Sequence, residues 1–168
     1  TGDHNTAIGF GAGLDITTGN NNTLIGYDAY VPNSAGNNQV KIGNTDITYA
    51  GIQVAWTITS DKRWKSDIKN SALGLNFISK LNPVSYTRIN DEKNRIEFGL
   101  IAQEVEDVLK ESGVENAGML TVDNKGRYEL RYNDLLAPII KAIQELKKEN
   151  EELKNITENY QTANKELL

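Results

Sequence analysis

A seventeen-residue repeat is the feature that most constrains what this chain can fold into. Asn5-Thr-Ala-Ile-Gly9 matches Asn22-Thr-Leu-Ile-Gly26, and Gln39-Val-Lys-Ile-Gly43 follows at the same step. Ile8, Ile25 and Ile42 fall in register, as do Gly9, Gly26 and Gly43, and Ala12 pairs with Ala29. A unit this short buries no face alone, so it must stack on its neighbours or on copies in other chains. Short Ile- and Val-containing runs, separated by clusters such as Thr18-Gly-Asn-Asn-Asn22, predict brief strands joined by tight turns. Gly takes the positive-φ corners and Asn tolerates them. A β-roll or β-solenoid satisfies this pattern; an ordinary small sheet with glycine-rich turns is the alternative. Neither predicts catalysis within residues 1–59. Beyond the repeat, Val40 to Trp56 alternates apolar and polar residues and ends in Trp56-Thr-Ile-Thr59, which predicts further strands. In a trimeric fibre Ile47, Ile52 and Val54 would partly meet across chains.

The composition narrows the function. A hydrophobic fraction of 38% and a mean hydropathy of −0.51 leave a thin core, which favours burial by oligomerisation. A net charge of −5 argues against nucleic acid as the main partner. No run of eighteen apolar residues exists, so membrane insertion is not expected. The start at Thr1, without a charged-then-apolar leader, reads as a fragment of something longer. Cysteine is absent and His4 is the single histidine. Disulfides, cysteine metal sites and histidine triads are thereby excluded, and neither metal nor cofactor is expected.

From residue 60 to about 132 the pattern changes to a small α+β module. Leu73, Phe77, Ile78 and Leu81 have helical spacing, with Ser71 as N-cap and Pro83 as the stop. Val84 to Ile89 alternates as a strand, Asn90 to Asn94 is a charged loop, and Arg95 to Gly99 follows. Ile101, Val105, Val108 and Leu109 share one face of a predicted helix over Leu100–Lys110. Met119–Val122 and Arg127–Tyr132 predict a hairpin about Asp123–Gly126. From 133 to 168 a long helix is predicted, capped by Asn133 or Asp134, with Pro138 tolerated near its start. Its heptads run Leu136, Ile139, Ile143, Leu146, Asn150, Leu153, Thr157, Tyr160, Asn164, Leu167. That is a coiled-coil seam rather than a lone packed helix, although its polar Asn layers favour dimers over trimers.

Between the repeat and this module lies Thr59-Ser60-Asp61-Lys62-Arg63-Trp64-Lys65. A serine and a lysine five residues apart are commonly inert. With no histidine competing, they are nonetheless the main nucleophile–base pair this chain offers, and Lys62 and Arg63 supply cations that lower an amine's pKa.

The repeat resembles the head repeats of trimeric adhesins and of fibrous phage tail proteins. Ser60-Asp-Lys-Arg-Trp-Lys-Ser-Asp-Ile68 resembles the opening motif of the intramolecular chaperone auto-processing domain that ends phage endosialidase tailspikes and tail fibres. Three further segments agree in order: Leu75 to Tyr86, Phe98 to Glu106 and Tyr132 to Ile143. Trp64 stands where that family more often has Leu. The resemblance implies a homotrimer that guides folding of the preceding fibre and then cuts Thr59–Ser60, with Ser60 as nucleophile and Lys65 as general base. Gln103 and Glu104 either position that site or are polar residues of a helix surface. Asp61 and Asp67 either orient Lys65 or cap the turn. The implied home is a phage virion, or a bacterial cell-surface or secreted fibre, whose parent fibre binds a cell-surface receptor or glycan. The alternatives are a non-cleaving trimerisation module and an adhesin tip in which the repeat does the work.

Overall fold

The computed structural model describes residues 2–166 and shows a small mixed α/β protein ending in a long helix. The chain forms two compact units. The first comprises residues 2–61 together with Val84–Gly99 and Thr121–Glu129; the second comprises Lys62–Pro83, Leu100–Leu120 and residues 130–166.

In the first unit the repeat becomes a ladder. Strands β1 (Thr6–Ile8), β2 (Thr23–Ile25) and β3 (Val40–Ile42) pair in parallel. Each residue faces its counterpart seventeen positions on, Thr6 with Thr23 with Val40 and Ile8 with Ile25 with Ile42. The sequence period is therefore the physical register. Leu24, Ala29 and Val31 fill the interior, with Ala12 and Ile16 against them. The Ile stripe points the other way: Ile8, Ile25 and Ile42 are 59%, 39% and 64% exposed.

Polar side chains tie the coils together along the same step. Asn5 Oδ1 accepts the N–H of Asn22 at 2.9 Å, and Asn22 Oδ1 accepts that of Gln39 at 2.8 Å. The Asn22 amide donates to Gly36 O at 3.0 Å, so this fully buried side chain is satisfied at both ends. An outer ladder runs beside it, with Asp3 N–H on Asn20 Oδ1 and Asn20 N–H on Asn37 Oδ1, both at 2.6 Å. His4, Asn21 and Asn38, again at the same step, occupy left-handed backbone with φ of 60°, 55° and 60°. Gly9 and Gly26 allow the coils to approach: a Cβ on Gly9 would sit 2.6 Å from Gly26 O. Beyond β3 the predicted alternation forms no strands. Gly51 to Ser60 is exposed and without regular structure, so Val54, Trp56 and Ile58 find no cover within the unit.

The rest of the first unit comes from later in the chain. Strands β4 (Val84–Tyr86) and β5 (Glu97–Gly99) pair antiparallel, and β6 (Leu120–Val122) and β7 (Tyr128–Leu130), of which Thr121–Glu129 belongs to this unit, form the predicted hairpin.

In the second unit Phe77, Val105, Leu109, Met119 and Leu135 make an apolar core. The helix predicted between Ser71 and Pro83 contracts to one turn, α1 (Leu75–Ile78). Ser71 is not its cap; the Ser71 hydroxyl accepts the N–H of Leu73 at 3.1 Å in a local turn. Leu73, Phe77, Ile78 and Leu81 still reach the core, because turns closed by Lys80 N–H on Phe77 O and Leu81 N–H on Ile78 O preserve their spacing. Helix α2 (Ala102–Glu111) buries Val105 and Leu109. Ile101, expected on that face, precedes the first turn and stays 40% exposed. Asn133 and Asp134 lie in a 3-10 turn, Tyr132–Leu135, that leads into α3 (Leu136–Glu166). Along α3 the core side is Pro138 and Ala142. The heptad positions Leu136, Ile139, Ile143, Leu146, Leu153 and Tyr160 all point outward and are exposed; Leu167 lies outside the described residues.

Candidate functional site: the junction at Ser60

Thr59 and Ser60 are exposed at the end of the irregular stretch, and Asp61 is half-buried. A 3-10 turn, Lys62–Trp64, comes next, closed by Lys65 N–H on Lys62 O at 3.1 Å. Lys65 is exposed, and Asp67 holds left-handed backbone at φ 51°, where Asp is tolerated better than most residues. Thr59, Ser60 and Asp61 belong to the first unit; Lys65, Gln103 and Glu104 belong to the second. The Thr59–Ser60 bond thus lies in an exposed stretch without regular secondary structure.

Gln103 and Glu104 are exposed in the first turn of α2. Glu104 carries negative charge where the helix dipole favours it and accepts a hydrogen bond from the Asn82 amide at 3.2 Å. That contact joins the Asn-Pro-Val segment after α1 to the Ala-Gln-Glu segment of α2, and it gives Glu104 a structural task inside the second unit. Among the described residues no group of three or more His, Cys, Asp or Glu could hold a metal ion, and no helix is long and apolar enough to cross a membrane.

Two loops in the first unit share a design that the sequence analysis overlooked. Asp91-Glu-Lys-Asn-Arg95 and Asp123-Asn-Lys-Gly-Arg127 have the same pattern of Asp, Lys two on, a left-handed residue, then Arg. Asn94 and Gly126 have φ of 46° and 74°. In both loops the aspartate accepts the Arg main-chain N–H, at 2.9 Å for Asp91 and 2.8 Å for Asp123, and also takes the Arg Nε. The Arg95 guanidinium is the main reason the Asp91 carboxyl falls to about 2. The Arg127 main-chain N–H is the largest cause lowering Asp123.

Residues at both loops grip the repeat segment. Arg95 donates to Thr48 O at 3.3 Å, and Asn90 to Thr45 O at 2.6 Å. Asn124 N–H donates to Pro32 O at 2.9 Å. Glu129 pairs with Lys41 at 2.7 Å, and Lys125 lies over the Tyr30 ring, 4.8 Å from its centre. Most of these contacts read main-chain carbonyls, so hydrophobic periodicity gave no sign of them. The repeated Asp-x-Lys-x-Arg spelling would have.

The junction and the elements through α2 resemble an intramolecular chaperone segment. Residues 60–114 match a peptidase-family model described as the chaperone of endosialidase. The match takes in three of the four motifs noted above; the fourth, Tyr132 to Ile143, lies beyond it. No curated protein matches the chain. The match supports a chaperone role for this segment.

Proposed function

We propose that this chain is a homotrimeric intramolecular chaperone that guides folding of the β segment before it and then cuts its own Thr59–Ser60 bond. The observation that carries the reading is where the family match begins, at Ser60 itself, directly after an exposed stretch that follows the ladder. Ser60 Oγ adds to the Thr59 carbonyl carbon while the Lys65 amine takes the hydroxyl proton. The Thr59–Ser60 C–N bond then breaks, the proton passes to the departing Ser60 nitrogen, and Thr59 is left as an ester on Oγ. Water hydrolyses that ester, giving a Thr59 carboxylate and a free Ser60 hydroxyl. Each chain reacts once, so no separate substrate pocket is needed. Asp61, Gln103 and Glu104 are candidate supporting residues.

Assembly is read from two exposed apolar features. The heptad seam of α3, with Ile139 38% and Leu136 60% exposed, suits a parallel coiled coil with further copies of the chain. The Ile8, Ile25 and Ile42 stripe suits the core of a trimeric β-roll. A coil that brings the chains together first raises the effective concentration of the ladders for one another. It also shortens the search for high-contact-order β structure, which is slow and prone to aggregate. Cutting afterwards leaves the fibre kinetically trapped. The parent protein is then a tail fibre or tailspike of a virion, or a bacterial surface fibre.

Intact mass in denaturant, beside sedimentation, tests the reading. The expected result is two fragments split at Thr59–Ser60 in the wild type, with Ser60→Ala and Lys65→Ala uncut and trimeric. An uncut wild type that still sediments as a trimer overturns cleavage and leaves a trimerisation module.

A further inference from the structure

Helix α3 presents two working faces. Leu136, Ile139 and Ile143 lie on the exposed seam, whereas Lys141 and Glu145 lie on the other side and bind main chain. Glu145 Oε2 accepts the N–H of Leu75 at 2.6 Å, and Lys141 Nζ donates to Ser71 O at 2.5 Å. Lys141 and Glu145 also pair with each other at 3.4 Å. The Glu145 carboxyl is lowered from its ordinary value, chiefly by the Leu75 N–H. Gly74 completes the arrangement: it is buried, and a Cβ there would collide with the Glu145 carboxylate.

We propose that Lys141 and Glu145 form a polar latch by which the C-terminal helix fixes the segment bearing Lys65, making them positioning residues for self-cleavage. The inference rests on the cleavage reading above. All the groups involved belong to the second unit. Ser71 is six residues beyond Lys65, a tether of about 20 Å at most. Lys62 to Asn70 contributes no buried side chain, so apolar packing does not hold it; Ser71 and Leu75 give it anchor points on its C-terminal side. Charge-assisted bonds to main-chain groups are directional and short, and a general base acts only within hydrogen-bond reach of its proton. The arrangement couples the two faces of α3: ordering the helix by assembly at its seam orders the base-bearing segment on its other side. Cleavage before assembly is thereby slowed.

The test follows self-cleavage of the full chain made by cell-free synthesis, quenched in denaturant and weighed over time. Oligomeric state is measured in parallel in a Ser60→Ala background. Glu145→Ala is expected to slow cleavage about tenfold with the oligomer unchanged. Glu145→Gln, whose amide oxygen still accepts from Leu75, is expected to recover most of the rate, whereas Glu145→Met, of similar volume without an acceptor, is not, and a general loss of packing would not predict that difference. Lys141→Met, which keeps the apolar stem, should slow cleavage by a smaller factor, roughly threefold. A wild-type rate in Glu145→Ala overturns the latch, as does equal slowing in the Ala and Gln variants. If Glu145→Ala fails to assemble, Lys141→Met decides, and a wild-type rate there overturns the proposal. An uncut wild type overturns the cleavage reading and the latch with it, a result distinct from cutting that ignores Glu145.

Discussion

The first unit buries the polar side chains Asn22 and Asp91 beside the apolar Leu24, Ala29 and Val31, whereas the buried core side chains of the second, Phe77, Val105, Leu109, Met119, Leu135 and Ala142, are all apolar. The first unit therefore adds to apolar burial a set of directional interactions that the core of the second does not use. Phe77, Val105 and Leu109 are drawn together by non-directional burial and tolerate imprecise approach. The Asn ladder gains only when each donor meets its acceptor, and misplacing it leaves buried polar groups unpaired. A chain that must put a directional ladder into register benefits from a neighbouring segment that collapses without such demands.

The largest effect expected from breaking this comparison is at Phe77. Phe77→Ala should destabilise the protein by about 4 kcal/mol, read as a fall in the denaturant midpoint. If the ladder depends on the second unit for its register, the repeat's amides should lose hydrogen-exchange protection in the same variant. Asn22→Ala should cost about 1–3 kcal/mol by leaving the Gln39 N–H without its acceptor. Exchange protection in the second unit should be unchanged there, and a loss spreading to Val105 and Leu109 would contradict the contrast drawn above.

The smallest effect concerns acid. Asp91 titrates near 2 in the fold against an ordinary 3.8. A depressed carboxyl contributes stability that is present above its unfolded pKa and lost as pH falls through the folded one. Melting temperature should therefore decline between pH about 4 and about 2, and Asp91→Asn should flatten that limb while lowering the neutral-pH midpoint by roughly 2–4 °C. An unaltered acid limb in Asp91→Asn would remove Asp91 from the account.

What the sequence made legible follows the same division. The seventeen-residue step was readable because it is the register itself, Ile8 opposite Ile25 opposite Ile42. Periodicity did not say which face of the ladder is inside, and the Ile stripe proves to be the outer one. The helical spacing of Leu73, Phe77, Ile78 and Leu81 correctly marked a core face but overstated the helix, since consecutive turns supply the same spacing. Val40 to Trp56 alternates like a strand, yet only Val40–Ile42 pairs, because a strand needs a partner as well as a pattern. Ser60 and Lys65 were legible as a motif, and the family match begins at that serine. The loops at Asp91 and Asp123, and the latch at Glu145, act through main-chain atoms, which hydrophobic patterning does not register.

The ladder has a further consequence for how such a segment tolerates change. Its joining contacts run between a residue and its counterpart one coil away, so the coils behave as a one-dimensional lattice. Inserting or deleting a whole coil preserves the phase and leaves the neighbouring contacts equivalent. Inserting a single residue between Asn5 and Asn22 shifts the phase, and every pair spanning that point loses its partner at once. Length in such a segment is free to drift in steps of seventeen and is rigid against any smaller step.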